Sequence, residues 1–215
     1  MNFDMGEVEK QVRGKVGELF TGDTAAELMR MESLPMEDVR KITRRWLTSL
    51  GEAGYPMPMV KNGRNSVSLV VSQEQLAALA PSLFLSVEVS IRIFGRLVAR
   101  FGSEDQKNAV LPDLMSGKSI GAVALSENSM NIENDILHTT GVSSADGFHV
   151  TGSKGHVVNA AIADWIAVAG KIDGREEPAF FLMEKESEGL FIGERLSTLG
   201  YEGAPISPIR LDNSP

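Results

Sequence analysis

Ser126 and Glu127 close an apolar run at residues 120–125 and set a hydroxyl beside a carboxylate where a strand-like stretch meets a polar loop. Together with His138, His149 and His156 they supply the residue types of a Ser–His–acid hydrolase. The sequence has no G-x-S-x-G turn to expose a nucleophile, and residue types without that turn do not make a hydrolase. A metal centre is disfavoured as well, because no histidine has a partner at helical ligand spacing. Gly147 and Gly152 match the outer glycines of a phosphate-binding loop, but Ser153-Lys154 reverses the order that loop requires, and the intervening FHVT alternates like a strand. The chain contains no cysteine, which removes thiol catalysis, disulfide frameworks and thiolate zinc sites together.

The elements that would position these groups change character along the chain. Up to about residue 116 the apolar residues recur at steps of three or four. Val87, Ile91, Phe94, Val98 and Phe101 form one such stripe, and Arg92, Arg96 and Arg100 form a second that is expected to face water. Residues 7–20 and 36–54 also show helical spacing, and Pro56, Pro58 and Gly63 punctuate a loop after them. The helix through Phe101 should stop near Gly102, with Ser103 and Gln106 forming a capping box for the next one and Gly117 ending it.

From about Ser119 short runs are separated by turn signals, among them Asp146-Gly147 and Asp173-Gly174, each a hairpin signature. The expectation is an α+β chain: an all-helical N-terminal domain over residues 1–117, then a small all-β barrel or sandwich domain over residues 118–215.

Composition narrows the function. A content of 42% hydrophobic and 23% charged residues over 215 positions fits a folded domain with a real core. A net charge of -8 argues against a nucleic-acid binder, which concentrates Lys and Arg. The segment MNFDMGEVEK carries acid early and lacks an apolar core, so no secretory signal is read there, and no run approaches the roughly 20 apolar residues of a membrane span. A cytoplasmic location is expected.

The succession of phrases resembles the acyl-CoA dehydrogenases. FGSEDQKNAVLPDLMSGKSIGAVALSE is similar to their F-G-[ST]-E-x-Q-K-x-x-x-L-P-x-L-x-x-G phrase and the strand after it ending A-x-[ST]-E. Phe101, Gly102, Ser103, Glu104, Gln106, Lys107, Leu111, Pro112, Leu114, Gly117, Ala124, Ser126 and Glu127 all match. DGFHVTGSK and LGYEGAPISPIRLDN resemble the family's D-G-[YF]-x-[LV]-x-G-x-K and L-G-x-x-G segments.

This resemblance implies an FAD-dependent dehydrogenase acting on a carbon–carbon single bond beside a thioester, with acyl-CoA as substrate and an electron-transferring flavoprotein as partner. It implies a homo-oligomer and a C-terminal helical bundle that the chain does not reach. The general base is expected in that bundle, so no catalytic residue is assigned here, the chain alone is expected to be inactive, and Glu127 is expected to be structural. Flavin contacts are implied for the backbone near Leu125, for the Ser126 hydroxyl, and for His156 and Val158 on a second strand.

The departures are specific. Where the family commonly has E-P-x-x-G-S-D, residues 127–133 read ENSMNIE, so Asn131 replaces a glycine and Ile132 a serine that would contact the pyrophosphate or coenzyme A. The common W-x-T appears as His156-Val157-Val158, which exchanges a stacking indole for an imidazole and removes a hydroxyl. Two other functions remain open on this sequence: a flavin monooxygenase or nitroalkane-oxidase-type relative, and a non-catalytic binding or assembly module.

Overall fold

The computed structural model describes residues 5–53, 55, 66–127, 137–145, 147–175 and 177–215. They form two units: residues 1–119 with 198–204, which is helical, and residues 120–197 with 205–215, which is all β. Helices followed by strands is the α+β order expected from the change of period.

The helical unit comprises α1 (Glu7–Glu18), α2 (Asp23–Arg30), a 3-10 turn Met31–Ser33, α3 (Met36–Glu52), α4 (Ser66–Leu79), α5 (Pro81–Glu88), a π-helical stretch Val89–Phe94, α6 (Gly95–Phe101) and α7 (Glu104–Met115). On α3 the apolar positions Val39, Ile42, Trp46, Leu47 and Leu50 are buried, and Trp46 stacks on Phe20 with ring centroids 4.5 Å apart. Pro81 opens α5 in the first turn, where N–H groups have no intrahelical partner to lose. Ser103 and Gln106 form the reciprocal capping box expected of them, with bonds of 3.2 and 2.9 Å. Gly117, at φ +75°, turns the chain out of α7 where a Cβ would lie 2.8 Å from the Thr48 backbone nitrogen, so glycine alone fits.

Val87, Ile91, Phe94 and Val98 are buried as their spacing indicates, whereas Phe101, on the last turn, is 73% exposed. The arginine stripe requires a correction. Arg96 and Arg100 face solvent, but Arg92 is only 7% exposed. It lies in the π-helical stretch, which is covered on most sides, since Val89, Ser90, Ile91 and Phe94 are buried there as well, and its guanidinium sits against Glu88 and the Tyr55 ring.

The β unit is a mixed sheet of seven strands: β1 (Gly121–Ala124), β2 (Thr140–Ser144), β3 (Gly147–Val158), β4 (Trp165–Ile172), β5 (Pro178–Glu184), β6 (Leu190–Ile192) and β7 (Ile206–Ser214). β1 pairs in parallel with Trp165–Val168 of β4, and β2 pairs in parallel with Lys171 and Ile172 of the same strand. β2 also runs antiparallel to β3, and the carbonyl beyond β1, that of Ser126, accepts the Gly155 N–H of β3 at 3.0 Å. β1 and β2 therefore lie end to end in one slot between β4 and β3. The hairpins expected at Asp146-Gly147 and Asp173-Gly174 join β2 to β3 and β4 to β5; Asp146 lies outside the described residues. The core beneath is apolar, built from Ala122, Ala124, Val157, Ile166, Val168 and Ile209 among others. No described helix is long and apolar enough to cross a membrane.

Candidate functional site

Where β1 stops and β2 has not yet begun, the slot between β3 and β4 is interrupted, and a ladder of backbone hydrogen bonds cannot close it. Lys154, on β3, reaches into this junction with its side chain fully buried. Its Nζ donates to Glu127 Oε1 at 2.9 Å and to the Leu125 carbonyl at 3.2 Å. Glu127 in turn accepts from the Thr139 hydroxyl at 2.6 Å and from the backbone N–H groups of Thr139 and His138, both at 2.9 Å. The carboxylate thus ties the end of β1 to the start of β2 and to the middle of β3. A buried strand ends on a hydroxyl and a carboxylate because the sheet splits there, and an ion pair with hydrogen bonds does what the ladder cannot.

The neighbouring glycines make room for this junction. A Cβ on Gly152 of β3 would stand 2.4 Å from the Thr139 hydroxyl oxygen, and one on Gly170 of β4 would stand 2.7 Å from the Thr139 carbonyl oxygen. Thr139 is wedged between two strands that carry no side chain at its level.

Electrostatics make Glu127 a fixed charge. Burial by itself would raise its pKa, but the bonds from Thr139, Lys154 and the His138 and Thr139 amides overcome that and hold it at about 2. Burial draws Lys154 below its ordinary value even though Glu127 pulls the other way. A carboxylate held at about 2 with four donors on it is a poor proton acceptor, in keeping with the structural role expected for Glu127.

The sign of the linkage follows. A folded-state value below the ordinary 4.5 means that the stabilisation is complete above about 4.5 and is lost as pH falls from there through about 2. Denaturant melts across that window should show the stability of the β unit declining with acid, and Glu127→Gln should flatten that decline.

Of the sequence-derived positions, Leu125, Ser126, His156 and Val158 are described. Leu125 is 38% exposed and Ser126 half-buried. Ser126 gives its carbonyl to Gly155, while its own N–H and hydroxyl have no hydrogen-bond partner among the described residues. On β3, Lys154 pairs with Ile209 of β7 and Val157 with Ser207, so two residues, Gly155 and His156, oppose the single Pro208. This bulge sits where proline can offer no ladder N–H. It resets the alternation, so that Val157 is buried, His156 exposed and Val158 half-buried.

The Ser126–Gly155 bond brings the Leu125-Ser126 strand end alongside the His156–Val158 segment, two stretches 30 residues apart in sequence. Asn131 and Ile132 lie outside the described residues. The histidines are used separately: His138 through its backbone N–H, His149 through Nδ1 against the Asn213 carbonyl at 3.1 Å, and His156 on the exposed side of β3. Among the described residues no group of three His, Cys, Asp or Glu could hold a metal ion.

Sequence reasoning missed Lys154 and Thr139. A signal for Lys154 was present. It lies two residues from Gly152 and four from buried Val150, on the inward phase of an alternating strand, and a lysine there requires a carboxylate partner. The helical unit has a separate cavity of about 430 Å³ lined by residues such as Leu28, Met31, Leu79, Leu83 and Glu202, all of that unit, and it contains none of the strand-end residues.

Comparison with known proteins agrees with the two-unit order. Residues 7–118 match the family described as acyl-CoA dehydrogenase, N-terminal domain, and residues 122–214 match acyl-CoA dehydrogenase, middle domain. An acyl-CoA dehydrogenase of Bacillus subtilis is 26% identical over 196 residues, covering 88% of this chain and 50% of the relative. A short-chain specific acyl-CoA dehydrogenase of Clostridium acetobutylicum is 26% identical over 217 residues, covering 97% and 56%. The chain thus spans about half the length of these curated relatives. The crystal structure of an acyl-CoA dehydrogenase from Bacillus anthracis complexed with FAD superposes with a TM-score of 0.83 at 23% identity, over 98% of this chain and 37% of that one, which establishes the shared fold.

Proposed function

The chain belongs to the acyl-CoA dehydrogenase family, and from that premise we propose that it forms the helical and β portions of an FAD-dependent enzyme that removes the α- and β-hydrogens of an acyl-CoA thioester. The observation that carries the flavin assignment is Ser126, a half-buried residue whose N–H and hydroxyl are both unpartnered among the described residues, on a strand end that Lys154 and Glu127 hold in place. Donors fixed on such a scaffold fit the acceptor-rich edge of an isoalloxazine, because they need no reorientation to meet it.

Ser126 would hold the ring through its amide and hydroxyl, the backbone near Leu125 would line the same edge, and His156 and Val158 would border it from β3. FAD supplies the acceptor for the hydride that leaves the β-carbon. Glu127 is not assigned the α-proton, since four donors and a pKa held at about 2 make it a poor acceptor, and no base is assigned among the described residues. An electron-transferring flavoprotein is the proposed electron acceptor, and a homo-oligomer the proposed working form.

Val158 presents a methyl where the family commonly presents a hydroxyl. Val158→Thr restores one donor at nearly the same shape. One neutral hydrogen bond is worth about 0.5–1.5 kcal/mol, so FAD should bind roughly twofold to tenfold more tightly by equilibrium dialysis. An unchanged or weaker affinity would place Val158 away from the ring.

The function itself is tested with the full polypeptide, FAD and a panel of acyl-CoA thioesters. Bleaching of the flavin absorbance on adding thioester, with formation of the 2-enoyl product, is the expected result. Oxygen consumption without acyl-CoA would replace this assignment with a monooxygenase or oxidase, and a protein that takes up no flavin would replace it with a binding module.

A further inference from the structure

The peptide between Leu125 and Ser126 carries a buried cation at one end and, at the other, a donor with no partner among the described residues. Lys154 Nζ lies 3.2 Å from the Leu125 carbonyl oxygen with its side chain fully buried, while the N–H of the same peptide, that of Ser126, has no partner among the described residues. The described peptides include no cis bond, so this N–H points away from the carbonyl and from Lys154. A cation at a carbonyl oxygen draws density along the delocalised O–C–N system toward oxygen and leaves the N–H more positive, the cooperative polarisation seen in hydrogen-bond chains. Burial makes this strong, since water does not screen the ammonium. The balancing charge of Glu127 is shared among Thr139, His138 and Lys154 itself.

We propose that Lys154 is a positioning residue for the flavin that also tunes it: through the Leu125–Ser126 peptide it makes the Ser126 N–H a stronger donor and so favours the reduced, electron-rich ring over the oxidised one. The proposal rests on the flavin assignment above. Lys154 is not a catalytic residue, because it reaches the ring only through this peptide.

A purely structural lysine would anchor the strand end without moving a potential. Two substitutions separate these roles. Lys154→Met removes the cation and leaves Glu127 buried and unpaired; adding Glu127→Gln removes that orphaned charge as well, so packing and stability should recover while the ammonium stays absent. The test uses the full polypeptide loaded with FAD, measuring the two-electron potential and the thermal melt of wild type, Lys154→Met/Glu127→Gln and Lys154→Arg.

The double variant should bind reduced flavin about tenfold less well relative to oxidised flavin than wild type does, a fall of about 30 mV for a two-electron couple. Its melt should stay close to wild type, and Lys154→Arg should keep the wild-type potential. A double variant with the wild-type potential would overturn the proposal while leaving the flavin assignment intact, and so would potentials that merely follow melting temperature across the set. A wild-type protein that takes up no FAD would overturn both.

Discussion

Lys154→Ala should lower the stability of the β unit by about 3–5 kcal/mol, the cost of leaving a buried carboxylate without its partner. Glu127 is 9% exposed in the ion pair, so water does not replace the ammonium, and the two remaining backbone N–H groups and the Thr139 hydroxyl must hold the charge alone. The Leu125 carbonyl loses its donor in the same step. Denaturant unfolding followed by a probe in the β unit should show the midpoint displaced with little change in slope. A loss below about 1 kcal/mol, the range of surface pairs, would mean that the junction does not depend on this contact.

The second large effect is expected in the helical unit. Glu88 accepts the Tyr55 hydroxyl at 2.6 Å and the Gln73 side-chain amide, and it faces the Arg92 guanidinium at 3.7 Å. Tyr55 is 2% exposed, and burial, reinforced by Glu88, pushes its phenol far above the ordinary value. Burial also lowers the Arg92 pKa, against the pull of Glu88 and Tyr55. Glu88→Leu removes the one carboxylate that these three groups share, and a loss of about 3–5 kcal/mol is expected. Glu88→Gln, which still offers an oxygen to Tyr55, should lose less. Equal losses in the two variants would show that shape rather than charge matters at this position.

Both clusters mark where the sequence stops being legible. The Ser103–Gln106 capping box and the turns at Gly117, Gly147 and Gly174 are set by residues within a few positions of one another, and each lies where its local pattern indicates. The inward face of the helix through Val87, Ile91, Phe94 and Val98 follows from a 3.6-residue period. That period marks the apolar face but not how far the neighbouring elements wrap around the helix, and Arg92, in a stretch where Val89 and Ser90 are buried too, departs from the solvated stripe of Arg96 and Arg100.

At the strand end, the sequence marked two segments. Leu125, Ser126, His156 and Val158 could be placed by likeness to a family, and the sheet sets their two segments side by side. What holds them there was not legible, because Lys154 and Glu127 are 27 residues apart and meet only after β1 and β2 have been laid end to end beside β4. Such a slot shared by two strands depends on pairings with a third strand, and no window along the chain contains all three.

The most direct test of the strand-end assignment is a crystal structure of the full polypeptide with FAD. The isoalloxazine should lie within hydrogen-bond distance of the Ser126 nitrogen and hydroxyl, with the Lys154–Glu127 pair unchanged behind them. A ring seated elsewhere, with the Ser126 N–H still unfilled, would contradict it.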